Sequence, residues 1–162
     1  PRKKYSLDLF VRDGEICGMN KLLLPLVLLF ASLTCFGNFT PEKIKEWRQA
    51  AEQGDAEAQT IIGFIYGTGY GVPKDEVEAV KWYRKAAEQG YAQSQSILGL
   101  MYANGASVPE DFVEAYMWWN LAAAQGDEEA KQNKGILSKQ MTKEQIAEAQ
   151  KLSREWLAKR SK

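Results

Sequence analysis

Ala50-Ala51-Glu52-Gln53-Gly54, Ala86-Ala87-Glu88-Gln89-Gly90 and Ala122-Ala123-Ala124-Gln125-Gly126 are three copies of one phrase, set 36 residues apart. The register extends in both directions. Gln59 matches Gln95, Gly63 matches Gly99, Tyr66 matches Tyr102 and Gly69 matches Gly105. Val72-Pro73 matches Val108-Pro109, and Asp75, Ala79 and Trp82 match Asp111, Ala115 and Trp118. A period of this length is the mark of a solenoid, in which no unit can bury its apolar face except against its neighbours.

Each unit reads as two helices. Helix A spans about residues 55–66 in the first unit and 91–104 in the second. Its phase is set by Ala58, Ile62, Gly63 and Tyr66, then by Ser94, Leu98, Gly99 and Tyr102, at helical spacing on one face. A glycine inside a helix costs about 1 kcal/mol relative to alanine. Its return at Gly63 and Gly99 therefore predicts a neighbour so close that no Cβ fits. Helix B spans about residues 75–89 and 111–125 and carries Ala79, Trp82 and Ala86, then Ala115, Trp118 and Ala122. Gly90 and Gly126 are placed to close these helices with a left-handed residue, and Asp55 and Asp127 to cap the helices that follow. Between A and B, Gly67-Thr68-Gly69-Tyr70-Gly71-Val72-Pro73 reads as a reversing turn. The second unit has Ser107 where the first has Gly71, so its turn is expected to take a different conformation.

The ends depart from the repeat. Thr40-Pro41-Glu42 reads as an N-cap, a first-turn proline and a first-turn acid, opening a lone B-type helix over residues 41–53. Residues 127–137 form a degenerate A helix. Thr142 to Gln145 resembles a capping box and opens a capping helix over residues 142–159, with Ile146, Ala149, Leu152, Trp156 and Leu157 on its apolar face. The expected fold is all-α, an α-solenoid of antiparallel helix pairs with about two full 36-residue repeats plus flanking helices, filling residues 38–160.

The first 37 residues read as an address. Residues 1–18 are expected to be an upstream or non-native leader, because Met19-Asn20-Lys21 begins a basic n-region followed by the apolar run from Leu22 to Phe36. Cys35 and Gly37 stand at the −3 and −1 positions of a signal-peptidase site, which makes residues 19–37 a signal peptide. An uncleaved membrane anchor is the second reading, since residues 22–41 carry no charge. Either way the rest is expected to be exported, periplasmic or secreted, and membrane-anchored if the segment is retained.

Composition narrows the chemistry. The chain has no histidine and two cysteines, Cys17 and Cys35, neither at zinc-ligand spacing. Lys and Arg total 21 against 21 Asp and Glu, and past Gly37 the balance is 16 against 18. No basic field remains to recruit nucleic acid. Trp82 and Trp118 recur in phase with alanines and read as core. Gly67 to Gly71 lacks the Lys-Ser/Thr pair of a phosphate loop, and the acids at Asp75-Glu76-Val77-Glu78 and Asp127-Glu128-Glu129 sit in first helical turns, where the dipole favours them. No S-x-x-K nucleophile occurs. The expectation is no catalytic residue, no metal site and no cofactor.

The pattern A-A-E-Q-G-x-A-x-x-Q-x-x-L/I-G-x-x-Y-x-x-G, followed by V-P-x-D and A-x-x-W/Y, resembles the Sel-one-like repeats (SLR), relatives of the tetratricopeptide repeats. Residues 138–156 also look like the terminal helix of bacterial members. The resemblance covers about residues 40–159. It implies a tetratricopeptide-like right-handed superhelix and a scaffold or adaptor that binds other proteins. Some exported relatives are stapled by cysteines, and this chain has none in its repeats.

In such stacks the A helices line the concave side. Removing their repeated core positions leaves Glu57, Ile61, Phe64 and Thr68 in the first unit and Gln93, Ile97, Leu100 and Asn104 in the second, with Glu129, Asn133 and Ile136 in the degenerate copy. An apolar stripe with a polar rim suits a partner peptide or helix laid in the groove. The alternative is a helix buried on both sides, and spacing does not choose between them. The leading functional class is a non-catalytic interaction module. A membrane-tethered regulator of the cell envelope and an envelope hydrolase are the other two.

Overall fold

A computed structural model describes residues 39–160, and the address predicted over residues 1–37 lies outside them. The described residues are all helical, in the order α1 Pro41–Glu52, α2 Ala56–Thr68, α3 Glu76–Glu88, α4 Ala92–Asn104, α5 Phe112–Ala124, α6 Glu128–Leu137 and α7 Lys143–Arg160. Helices α2 and α4 are the A helices of the two full units, and α3 and α5 their B partners. α2 packs between α1 and α3, α4 between α3 and α5, and α6 against α5, while α7 lies on α5. None of these helices is long and apolar enough to cross a membrane.

The repeated phrase owes its letters to how helix B ends. In Ala86-Ala87-Glu88-Gln89-Gly90, Gly90 takes φ +90° and donates to the Ala87 carbonyl at 2.9 Å, while the Tyr91 amide donates to the Ala86 carbonyl at 3.1 Å. The same pair of bonds closes α5, from Gly126 to Ala123 and from Asp127 to Ala122, around a φ of +94°. This is a left-handed closure that satisfies two otherwise orphaned carbonyls. Ala86, Ala87 and Ala122 are fully buried, so the chain turns tightly into the next A helix. Asp55 and Asp127 then accept from the Ala58 and Ala130 amides at 2.7 and 2.8 Å, each such cap contributing about 1 kcal/mol.

The glutamines stitch the units together. Gln59 donates to the Ala51 carbonyl at 3.0 Å and accepts from Gln89 at 2.8 Å. One repeat later, Gln95 donates to the Ala87 carbonyl at 3.1 Å and accepts from Gln125 at 2.8 Å. Each buried amide thus holds three successive elements, and leaving it half-paired would cost about 1–3 kcal/mol. That cost explains why glutamine recurs at a position an apolar residue would otherwise fill.

The helical glycines are explained by rings. A Cβ at Gly63 would lie 2.9 Å from the Tyr83 ring, and one at Gly99 would lie 2.5 Å from that of Trp119. The close neighbour is therefore an aromatic side chain of the unit's own helix B. Trp119 also donates its indole N–H to the Ser96 carbonyl at 3.0 Å. Trp82 and Trp118 are buried, as their phase predicts.

Two expectations need correction. Ser107 does not reshape the second turn. It adopts φ +60° where Gly71 has +72°, so both turns pass through the left-handed region. A non-glycine residue there costs roughly 1–2 kcal/mol, and the Ser107 hydroxyl is held by Glu76, itself paired with Lys74 at 2.6 Å. The second correction concerns α7. The capping box forms, with the Thr142 amide donating to Gln145 at 2.9 Å and the Gln145 amide donating back at 3.2 Å. Yet Leu157 is 50% exposed, and the face on α5 is instead centred on buried Ala149 and Ser153. Small residues let the helix axes approach, and Trp156 meets Trp118 edge-on with ring centres 6.4 Å apart.

Candidate functional site

The layer of A helices is built from α2, α4 and α6. Helices α2 and α4 each lie between two B-type helices, and seven of the 13 residues of each are buried. Ile61 and Ile97 are consequently core residues, 6% and 9% exposed. They are corrected here from groove lining to packing, because the flank they occupy is the one turned into the stack. Thr60 and Ser94 join α2 to α4 directly through a 2.6 Å hydrogen bond between buried hydroxyls. Periodicity hides this contact, since serine and threonine at core positions read as interruptions.

The other predicted residues remain accessible in graded fashion. Glu57 and Thr68 are exposed, and Phe64, Gln93, Leu100 and Asn104 are half-buried. Thr68 turns its hydroxyl back to the Phe64 carbonyl at 2.8 Å. In the degenerate unit Glu129 and Asn133 are half-buried, and Ile136 is 51% exposed. Phe64, Leu100 and Ile136 share one register position on successive A helices, so the accessible apolar stripe runs across the repeats with one side chain from each. The stripe expected along each helix at i, i+4 and i+7 mixes accessible residues with the buried Ile61 and Ile97.

Polar groups border this row on one side. Asp55 and Glu57 open α2, Tyr91 and Gln93 open α4, and Asp127 and Glu129 open α6. Tyr91 occupies the N-cap of α4 without a side-chain cap bond. Burial raises its hydroxyl pKa, with the carboxylates of Glu57 and Asp55 adding to the rise. Burial also raises the Glu129 carboxyl, Asp127 contributing second. Deeper in the A–B seam, Arg48 donates to the Tyr66 hydroxyl at 2.8 Å and Arg84 to that of Tyr102. Asn120 stands at the register of Arg48 and Arg84 in the last B helix, and it accepts from Lys134 of α6 at 2.9 Å. All three cations are half-buried and already bonded to a neighbouring helix.

Among the described residues no group of three or more His, Cys, Asp or Glu is arranged to hold a metal ion. The face offers apolar surface and charge.

Comparison with known proteins agrees with this geometry. The Sel1 repeat model matches residues 56–91 and 92–127. The crystal structure of c5321, a protective antigen present in uropathogenic Escherichia coli strains displaying an SLR fold, is 34% identical with a TM-score of 0.72. The alignment covers 81% of this chain and 29% of that one. A Sel1 repeat protein from Oxalobacter formigenes is 41% identical with a TM-score of 0.56, over 57% of this chain and 37% of its own. The chain thus spans well under half the length of either structure. No curated protein matches it. Sel1 repeat proteins are generally protein–protein interaction scaffolds, and their fold is typically non-catalytic. With two matched repeats, an all-helical stack of described residues and SLR-fold neighbours, the chain carries two Sel1 repeats within an α-solenoid of the SLR kind.

Proposed function

We propose that this protein is an exported, non-catalytic adaptor that holds a partner protein's apolar segment in the groove lined by its A helices. The observation that carries the reading is the accessible row of Phe64, Leu100 and Ile136, one side chain per repeat. Such a row gives a partner regularly spaced anchors on a rigid support. Export rests on the basic and apolar segments after Met19, with the small residues Cys35 and Gly37 supplying the cleavage site.

A photo-crosslinking amino acid at position 100 tests the groove, with the same group at position 85 on α3 as the control face. Capture of a protein partner from position 100 and not from 85 is expected, and its loss in a Phe64→Ser background. Equal capture from both positions would remove the groove from consideration. Mass spectrometry of the mature protein is expected to show a start after Gly37. Retention of Leu22 to Phe36 would favour the second reading, a membrane-anchored regulator of the envelope, because the uncharged run from Leu22 to Pro41 is long enough to span.

A further inference from the structure

We infer that the groove selects a cationic apolar segment, in which lysine or arginine side chains alternate with the apolar residues that meet Phe64, Leu100 and Ile136. This inference rests on the adaptor reading and adds the charge of the partner. The A layer is sharply asymmetric in charge. Helix α2 contains one ionisable side chain of either sign, Glu57, apart from its tyrosine, and α4 contains no charge. Asp55 precedes α2, and α6 brings Asp127, Glu128 and Glu129. Its two lysines are already engaged. Lys131 bridges Glu128 at 3.3 Å, and Lys134 donates to Asn120 and lies over the Tyr116 ring, 5.7 Å from its centre. Lys139 follows α6, at the far end of that helix from the acids.

The helix N-termini oppose this charge without cancelling it. Three dipole ends supply roughly half an elementary charge each, against Asp55, Glu57, Asp127 and Glu129 at the same edge, Glu128 being already bridged by Lys131. Burial raises the Tyr91 hydroxyl pKa, and the carboxylates of Glu57 and Asp55 add to the rise. Glu57 stands seven residues before Phe64, and Glu129 seven before Ile136, which is about 10 Å along a helix axis. A lysine side chain from a segment lying over the apolar row covers much of that distance, and the carboxylates meet its ammonium at the groove edge. An acidic segment would meet like charges there.

The test uses the full chain and three fluorescein-labelled peptides of about twelve residues, long enough to cross three helices spaced roughly 8–10 Å apart. One has leucine at every third position with lysine between, one has leucine with glutamate, and one has lysine with serine. Anisotropy titrations are expected to show the lysine–leucine peptide binding about tenfold or more tightly than the glutamate–leucine peptide at low salt, with the gap closing as salt rises. Glu57→Gln with Glu129→Gln is expected to weaken the lysine–leucine peptide by about threefold to tenfold, within the range of two exposed charge pairs, and to leave the glutamate–leucine peptide unweakened. Glu57 is exposed and Glu129 half-buried, and glutamine keeps the size of each side chain, so circular dichroism of the variant is expected to match the parent.

Equal affinity for the two leucine peptides, each weakened by Leu100→Ser, would overturn the charge selection while leaving the groove in place. Lysine–serine binding as tight as lysine–leucine would overturn the inference as well, by reducing it to charge alone. Insensitivity to Leu100→Ser, or no binding of any peptide, would remove both the inference and the groove beneath it.

Discussion

Helices α3 and α5 hold the same place in successive repeats and share Ala79 with Ala115, Trp82 with Trp118 and Ala86 with Ala122. Two of the positions at which they diverge lie one turn apart. Lys81 and Lys85 of α3 are exposed, whereas their counterparts Met117 and Leu121 are buried. The difference is the footprint of α7, which lies on α5. Over Trp82 the cover is Lys85, its ammonium 3.9 Å from the ring centre. Over Trp118 it is the ring of Trp156. One register position has therefore been written twice, once for a face that ends in solvent and once for a face that receives a helix. Burying two large apolar side chains contributes about 1.5–3 kcal/mol apiece, which is what docks a helix that is otherwise mostly polar.

The largest expected effect comes from erasing this difference. Met117→Lys with Leu121→Lys should remove more than about 4 kcal/mol, because unpaired ammonium groups cannot be buried under α7. Chemical denaturation checks this, and loss of less than about 1 kcal/mol would show that α7 contributes little. A smaller difference is expected between the two glycine seats. Gly99→Ala should cost about 1–3 kcal/mol by overpacking, and Gly63→Ala less, since the Tyr83 ring lies farther away than the Trp119 indole. Melting temperatures of the two variants give the order directly. Next comes the tie from α7 to the end of α3, where Arg160 donates to the Glu88 and Gln89 carbonyls and stacks 4.8 Å from the Trp156 ring centre. Arg160→Ala is expected to cost about 1 kcal/mol, the upper end for exposed charged contacts.

The smallest effect concerns Glu114 in the first turn of α5. Burial, and after it the Asp111 carboxylate, raises its pKa. Its contribution to stability is thus present below the pKa of the unfolded chain and is lost as pH rises through the higher folded value. Relative to Glu114→Gln, the parent protein should lose stability over about pH 4 to 7. A flat difference between the two denaturation curves across that window would contradict the assignment.

Much of this was legible before any coordinates. The alanine pairs, the glycines after helix B, the capping aspartates and the phased tryptophans mark helix ends and core positions through local chemistry, so their reading needs only neighbours in the chain. The footprint of α7 was also written there, in the replacement of Lys81 and Lys85 by Met117 and Leu121, but a search for what repeats passes over what changes. Ile61 and Ile97 were assigned to the groove because helical phase gives the angle of a side chain and not the width of the surface that covers it. Ser107 misled for the opposite reason. Its backbone follows the geometry of its turn, and Glu76, 31 positions away, holds its hydroxyl.

By itself the sequence determined that the chain is a stack of paired helices, where each helix stops, and which residues must be small or aromatic. Those outcomes follow from capping, propensity and a fixed period, all of which act over a few bonds or one repeat. The tertiary structure alone decided that Phe64, Leu100 and Ile136 stay accessible while Ile61 and Ile97 are buried, and that α7 is the element lying on α5. Both depend on how closely separate helices approach, a quantity set by side chains meeting from distant parts of the chain.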